Sequence, residues 1–357
     1  MKKIFISLLA VAALAACSKS EVAYEAANEI SFAPVAKNIT KGAVGTVTDK
    51  GTYPTNQRLG VYANYGLVDP NTTVSGDNID SFNTGFLNDA VFSYKTVGEI
   101  SAWGGGYSWP TNGSLIFAGY SMPKEGNVGT ERSYNFKTDQ LTIKGYTQST
   151  NPAETFDLGW FSRTATSFNY RNQEDAVEVT LSHALAWIEI KVKGEGTTIG
   201  DNPWKIKSVT MNKVANTGDA ICTGAGAGKA EWVTGTPDKT ITIFTGEQSL
   251  TSEETVCETK DTDVLVIPQT PTAVDAKNPV ATLTVAYTYK SPAGVDMPLQ
   301  TATVSLALKD ANGNSISGGW KSGYKYTYTL TFKASEILIA PDYDKWEEGG
   351  NQSVVVE

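Results

Sequence analysis

Apolar and polar residues alternate along many short stretches of the chain, which is the pattern of half-buried β-strands. The clearest stretch is residues 324–332, where Tyr, Leu and Phe alternate with Lys and Thr. Residues 283–289 and 302–308 alternate in the same way, and no segment has a convincing helical period. Several short strands separated by turn-forming residues predict an all-β fold made of β-sandwiches.

The alternation changes its parity once, near residues 182–185. Val177, Val179 and Leu181 share one face of a predicted strand, whereas the apolar residues from Ala184 to Val192 share a face of the opposite parity. A one-residue change of parity predicts either a β-bulge or a strand that crosses from one sheet to another.

The length of 357 residues is enough for two domains, each able to bury a core. A polar stretch at residues 171–175 separates the two halves of the pattern. We therefore predict an N-terminal β-sandwich over residues 42–174 and a C-terminal one over residues 175–357.

The first predicted strand lies apart from the others, near residues 28–36. Ile30 and Phe32 point to one face of it, and Ser31 points to the other. A sparse polar stretch with Lys37 and Lys41 follows this strand. Cleavage after Lys41 would separate the strand from the rest of the chain.

The N-terminus has the features of an export signal. Two lysines precede an apolar run that is too short to span a bilayer, and the run ends in Leu-Ala-Ala directly before Cys17. This resembles a bacterial lipobox, which predicts a signal peptide over residues 1–16 and a lipid on Cys17. Residues 17–41 would then be a lipidated propeptide that holds the precursor at the membrane.

Composition narrows the possible functions. Charged residues make up only 19% of the chain while Gly, Thr and aromatic residues are frequent, which favours sheet over helix. The formal net charge of −9 leaves no basic face that could neutralise phosphates, so nucleic acid is not a predicted partner.

Candidate catalytic and metal-binding residues are few. His183, the only histidine, lies inside an apolar strand and is interpreted as structural. Cys222 and Cys257 are the only cysteines besides Cys17, and neither has a Cys or His neighbour at ligand spacing. Whether they pair in a disulfide stays open. We predict no metal, no cofactor and no enzymatic activity.

Three aromatic residues in a glycine-rich stretch, Trp103, Tyr107 and Trp109, are the remaining candidates for binding. Such rings can stack on sugars, but at the start of an apolar strand they are more often part of the core. The core interpretation is the preferred one.

The chain resembles the fimbrillins, the subunits of type V pili. The resemblance covers most of the chain from Cys17 onward and depends on the order and spacing of several stretches. These are NEISFAP, Thr-Lys-Gly at 40–42, RLGVYANYG, GYSWPTNGSLIFAGYSMP, VTLSHALAWIEIKVKG, VLVIPQT, GGWKSGYKYTYTLTF and DYDKWEEGG.

This resemblance implies two tandem transthyretin-like β-sandwiches and export as a lipoprotein to the outer membrane and cell surface. It also implies that a trypsin-like protease cuts after a basic residue, here Lys41 before Gly42, with Lys37 as a second candidate. The cut removes the first strand, the open groove accepts a strand from another pilin subunit, and a fimbria with a role in adhesion forms.

The sequence does not determine which strand fills the groove. Residues 352–357 form a short β-branched tail in which Val354 and Val356 would enter the groove while Val355 faces away. The same tail can instead be the last strand of its own domain. Two other functions are considered: an uncleaved anchor or accessory lipoprotein, and a glycan-binding lipoprotein that uses Trp103, Tyr107 and Trp109.

Overall fold

The computed structural model describes residues 29–36, 55–97, 100–169, 171, 176–224, 229–259, 262–271, 281–291, 293–307, 319–334 and 337–345. Within these residues the structure is all-β: the only helices are three single-turn 3-10 helices, at Ile79–Ser81, Pro152–Glu154 and Gly196–Thr198. This confirms the fold class predicted from the alternation.

Twenty strands make up the fold in the described residues. They are β1 (Glu29–Ala36), β2 (Arg58–Gly66), β3 (Thr84–Val97), β4 (Ile100–Ser108), β5 (Ser114–Met122), β6 (Glu131–Asn135), β7 (Gln140–Thr147), β8 (Gly159–Phe161), β9 (Val177–His183), β10 (Ala186–Gly194), β11 (Lys205–Val214), β12 (Thr217–Thr223), β13 (Lys229–Thr234), β14 (Lys239–Ser249), β15 (Thr255–Val256), β16 (Val264–Val266), β17 (Thr282–Thr288), β18 (Gln300–Ser305), β19 (Tyr324–Phe332) and β20 (Ile337–Lys345).

Seven strands close a barrel in the first half of the chain, in the order β1-β4-β3-β2-β5-β8-β9. Its interior is a cluster of buried apolar side chains that includes Phe32, Val61, Phe92, Phe117 and Val179. Closure gives each strand a hydrogen-bonded neighbour on both sides.

The second half of the chain forms a β-sandwich. One sheet has the order β15-β10-β19-β20, with β16 also paired to β10, and the other has the order β14-β11-β17-β18. Ile188 and Tyr328 from the first sheet and Val209 and Val285 from the second belong to one buried cluster, which is the core between the two layers.

A fourth sheet, β13-β12-β7-β6, joins the two halves of the chain. It pairs β7 with β12, for example Ile143 with Ala220, and its inner face packs against β5 of the barrel. The predicted boundary at residue 174 therefore does not coincide with the sheets, since β12 pairs with the first half and β9 lies in the barrel. Hydrogen bonds between strands that are distant in sequence decide which strands share a sheet. A polar stretch in the sequence gives no information about these pairings.

Strand β5 is buried along its whole length because both of its faces are covered. Leu115 and Phe117 point into the barrel, whereas Ile116, Ala118 and Tyr120 pack in the cluster shared with the fourth sheet. This explains why the sequence shows a continuous apolar run at this strand where most others alternate.

The parity change near residues 182–185 marks a passage between sheets. β9 belongs to the barrel, β10 belongs to the sandwich, and the short link between them, Ala184 and Leu185, is fully buried. Of the two structures predicted for this stretch, the crossing between sheets is the one observed.

Candidate functional site: the first strand and its groove

Strand β1 lies between β4 and β9. It runs antiparallel to β4, where Ser31 is opposite Gly104, and parallel to β9, where Ala33 is opposite Glu178. The two ladders are staggered: the first half of β1 pairs with β4 and the second half pairs with β9, with Phe32 paired on both sides. Both halves of β1 therefore contribute to closing the barrel.

The inward face of β1 is fully buried. Ile30 and Phe32 have no exposed surface, and Pro34 is buried beside them, while Ser31 and Ala33 on the other face are half-buried. This confirms the face assignment made from the alternation. Burial of a side chain such as Ile or Phe contributes about 1.5–3 kcal/mol, so the two inward residues bind the strand strongly.

The ring of Phe32 lies at the centre of an aromatic cluster. It packs edge-on against Phe92 and Phe117, with ring centroids 5.0 and 5.1 Å away, and its centroid is 6.4 Å from that of Phe161. Edge-to-face pairs of this kind add to the energy of burial. The three partners come from three other strands, so the groove for Phe32 is built by the barrel as a whole.

A polar contact holds the first residue of β1. The Gly106 amide donates a hydrogen bond of 2.7 Å to Oε1 of Glu29, and Lys95 Nζ lies 3.3 Å from the same oxygen. Gly104 leaves room for this carboxylate, because a Cβ built there would be 2.7 Å from Glu29 Oε1. Glu29 was not predicted as a site residue, and its signal in the sequence is a charge directly before the apolar face of β1.

Trp103 and Trp109 do not form the sugar-binding platform that the sequence left as the less favoured alternative. Trp103 and Trp109 are 4% and 8% exposed and lie in the barrel core, which confirms the core interpretation of these two residues. Trp109 packs edge-on against Phe117, and Tyr107, 38% exposed, packs beside Phe92. Trp103 faces inward because its strand, β4, closes the barrel beside β1.

His183 is buried at the end of β9 and pairs with a carboxylate. Its Nδ1 lies 2.8 Å from Oδ2 of Asp157, and the side chains are 3% and 9% exposed. The Ser121 hydroxyl donates to the backbone carbonyl of Asp157 and anchors this segment. The pair thus joins β9 to the segment before β8. Among the described residues, no cluster of three or more His, Cys, Asp or Glu side chains could hold a metal ion.

Replacing His183 with alanine should destabilise the protein by about 1–3 kcal/mol, because the buried Asp157 carboxylate would lose its partner. Urea denaturation followed by tryptophan fluorescence measures the change. Ser182→Ala on the same strand, which removes only a half-buried hydroxyl, is the control. Equal unfolding midpoints for the two variants would show that the pair contributes nothing to stability.

Cys222 and Cys257 are both free, so the disulfide left open by the sequence is not formed. Cys222 lies in the cluster beneath the fourth sheet and Cys257 in the core of the sandwich, so each thiol is enclosed in a different core. Burial raises the pKa of both thiols, to about 12 for Cys257, where the Glu258 charge also contributes.

These thiols should resist alkylation while the chain is folded, because the reactive thiolate is suppressed by burial. We expect a chain that begins at Gly42 to take up no iodoacetamide at pH 8 in the native state and two adducts in guanidinium without any reductant. Intact mass spectrometry reports the count. A native mass lower by two hydrogens would instead reveal a disulfide.

Several predicted residues lie outside the described part of the chain: Cys17, Lys37, Lys41, Gly42 and the tail residues Val354, Val355 and Val356. Among the helices that are described, none is long and apolar enough to cross a membrane.

A model of the fimbrillin-like family matches residues 46–346, and the chain belongs to this family. The match spans both halves of the chain and begins after β1. The resemblance stated from the sequence motifs is confirmed at the level of the family.

Solved structures that match this chain share little sequence with it. A fimbrial protein from Bacteroides vulgatus is 16% identical with a TM-score of 0.50, over 88% of this chain and 99% of that one. A putative cell adhesion protein from Bacteroides uniformis is also 16% identical, with a TM-score of 0.47 over 89% and 98% of the two chains.

The tip fimbrial protein Mfa3 from Porphyromonas gingivalis is 7% identical with a TM-score of 0.40, over 89% of this chain and 100% of that one. A search of curated proteins found no match.

Proposed function

We propose that the chain is a structural subunit of a type V-like fimbria that becomes competent for assembly when β1 is removed. The precursor is exported as a lipoprotein through Cys17 and reaches the outer membrane and cell surface. A trypsin-like protease cuts after Lys41, and the released body assembles with other pilin subunits by strand exchange. Adhesion is the role of the resulting fibre.

One observation carries this proposal: β1 is an inner strand of a closed barrel, yet the chain that links it to β2 contains both predicted cleavage sites. A cut there leaves β1 held by non-covalent contacts alone. Its departure leaves β4 and β9 each with an unpaired edge and an empty slot where Ile30 and Phe32 lay. Unpaired edges beside apolar slots recruit extended segments.

The family match supports the same boundary. It begins at residue 46, downstream of β1 and of the predicted cut between Lys41 and Gly42. If the propeptide is absent from the mature fibre, its sequence need not match the family model.

The groove sets requirements for the strand that replaces β1. It spans eight residues, accepts apolar side chains at alternate positions and ends at the Gly106 amide and Lys95, which suit an acidic group. Val354 and Val356 satisfy the alternation. The six residues 352–357 are shorter than β1, so a tail donor must also use residues 350–351 to pair with both β4 and β9.

Intact mass with N-terminal sequencing of protein sheared from the cell surface tests the proposal. We expect an unlipidated chain that begins at Gly42, or at Asn38 if Lys37 is the site used. A surface protein that begins at lipidated Cys17 would contradict the proposal and would indicate the second candidate, an uncleaved anchor or accessory lipoprotein with its groove permanently filled by β1.

A further inference from the structure

A cleft separates the barrel from the fourth sheet. Its volume is about 540 Å³, which is within the range of about 300–1,000 Å³ for small-molecule sites. Residues of β2, β3 and the 3-10 helix at Ile79–Ser81 form one wall, and β6, β7 and the turn between them form the other. No cleft residue belongs to β1, β4 or β9, so the cleft is separate from the groove of the first strand.

Aromatic side chains line the base of the cleft. Phe82 and Phe136 are almost fully buried, Tyr134 is half-buried, and the Tyr134 ring stacks on Tyr62 at 5.9 Å and packs edge-on against Phe136 at 4.8 Å. Tyr134 is therefore the ring of this group with surface left for a ligand, and its contacts with Tyr62 and Phe136 fix it in place before any ligand arrives. Fixed aromatic rings bind apolar faces of ligands with little loss of side-chain entropy.

Neutral polar groups line the walls above these rings. The side chains of Asn88, Ser133, Gln140 and Thr142 make no hydrogen bond to another residue in the described parts of the chain. They combine two amides, which both donate and accept, with two hydroxyls that do the same. Their hydrogen-bonding capacity is not used by the fold and is available to a ligand with many hydroxyl groups.

The charges at the cleft cancel each other. Asp80 on one wall and Lys137 on the other form an ion pair of 2.5 Å, and both are well exposed. This pair links the two walls and leaves no net charge to attract an ionic ligand. The cleft therefore favours a neutral ligand over a phosphate, a sulfated sugar or a charged peptide.

We propose that this cleft binds a neutral oligosaccharide. Pyranose rings present C–H groups that pack on the exposed part of the Tyr134 ring and hydroxyls that bond to the amides and hydroxyls of the walls. The inference deepens the adhesive role in the proposed function by naming a ligand class. It does not depend on strand exchange, because cleft and groove share no residue.

Binding of the soluble chain to an array of neutral, sialylated and sulfated oligosaccharides tests the proposal, with hits measured by calorimetry. We expect neutral glycans to bind and the double variant Asn88→Ala/Gln140→Ala to weaken binding at least tenfold. Asn127→Ala is the matched control, since Asn127 is exposed, lies outside the cleft and has no side-chain hydrogen bond to any described residue.

A second pair of variants tests whether binding needs the open space of the cleft. Gly85 lines it, and a Cβ built at Gly85 or at the distant Gly76 meets no atom within 4 Å. Gly85→Leu should block the glycan while Gly76→Leu does not, and circular dichroism confirms that both fold. Fibre assembly should be unchanged in all these variants, which separates this test from that of strand exchange.

The proposal is overturned if no neutral glycan binds, if only charged glycans bind, or if the cleft variants bind as the controls do. Capture of an extended peptide along the β6 edge in place of a sugar would also overturn it.

Discussion

Replacing both Lys37 and Lys41 with alanine is expected to abolish surface fibres and to leave lipidated precursor in the outer membrane. A trypsin-like protease needs a basic side chain before the bond that it cuts, and these are the two lysines between β1 and the first residue of the family match. Without a cut, β1 stays covalently attached at an effectively saturating local concentration and keeps the groove filled. Electron microscopy of cells and immunoblotting of membrane fractions measure the two effects.

The control for this loss is Lys124→Ala, which removes an exposed lysine in the loop between β5 and β6 without touching the linker. Lys37→Arg/Lys41→Arg should restore both cleavage and fibres, because a trypsin-like protease accepts arginine. Normal fibres on cells with the double alanine variant would refute maturation by cleavage at these lysines.

Phe32→Ala is expected to lower the free energy of unfolding of the precursor by about 3–5 kcal/mol, the range for a fully buried phenylalanine. The Phe32 side chain has no exposed surface and touches three other phenylalanines in the barrel core. Its removal leaves a cavity that strands paired on all sides cannot readily collapse to fill. Guanidinium denaturation of a soluble precursor that lacks the lipid gives the value.

Ser31→Ala on the outward face of β1 is the matched control and should change stability by less than about 0.5 kcal/mol. A separate peptide with the sequence of residues 28–36 should bind to the chain that begins at Gly42, and the same peptide with Phe32→Ala should not. A loss of stability for Phe32→Ala no larger than for Ser31→Ala would mean that β1 is not an essential part of the barrel.

The two predictions depend on the same contacts of β1. If maturation proceeds as proposed, the contacts that stabilise the precursor would also make the emptied groove a strong acceptor, because an incoming strand would regain the burial and pairing of β1. The glycan cleft uses other residues, so a subunit could bind its ligand before and after processing.

The local pattern alone was enough to predict much of this protein. The alternation at residues 324–332 identified β19 at its observed bounds, and the alternation at Ile30 and Phe32 identified the buried face of β1. These predictions succeed because a strand with one buried face must alternate, whatever its partners are. The order of several motifs was enough to identify the family.

Tertiary structure decided what depends on partners distant in sequence. The placement of β1 between β4 and β9, the pairing of β7 with β12 and the inward direction of Trp103 follow from which strands meet. The thiols of Cys222 and Cys257 stay apart for the same reason, since each belongs to a different core. The glycan cleft arises only where the fourth sheet meets the barrel, because its walls come from strands that the sequence does not mark as neighbours.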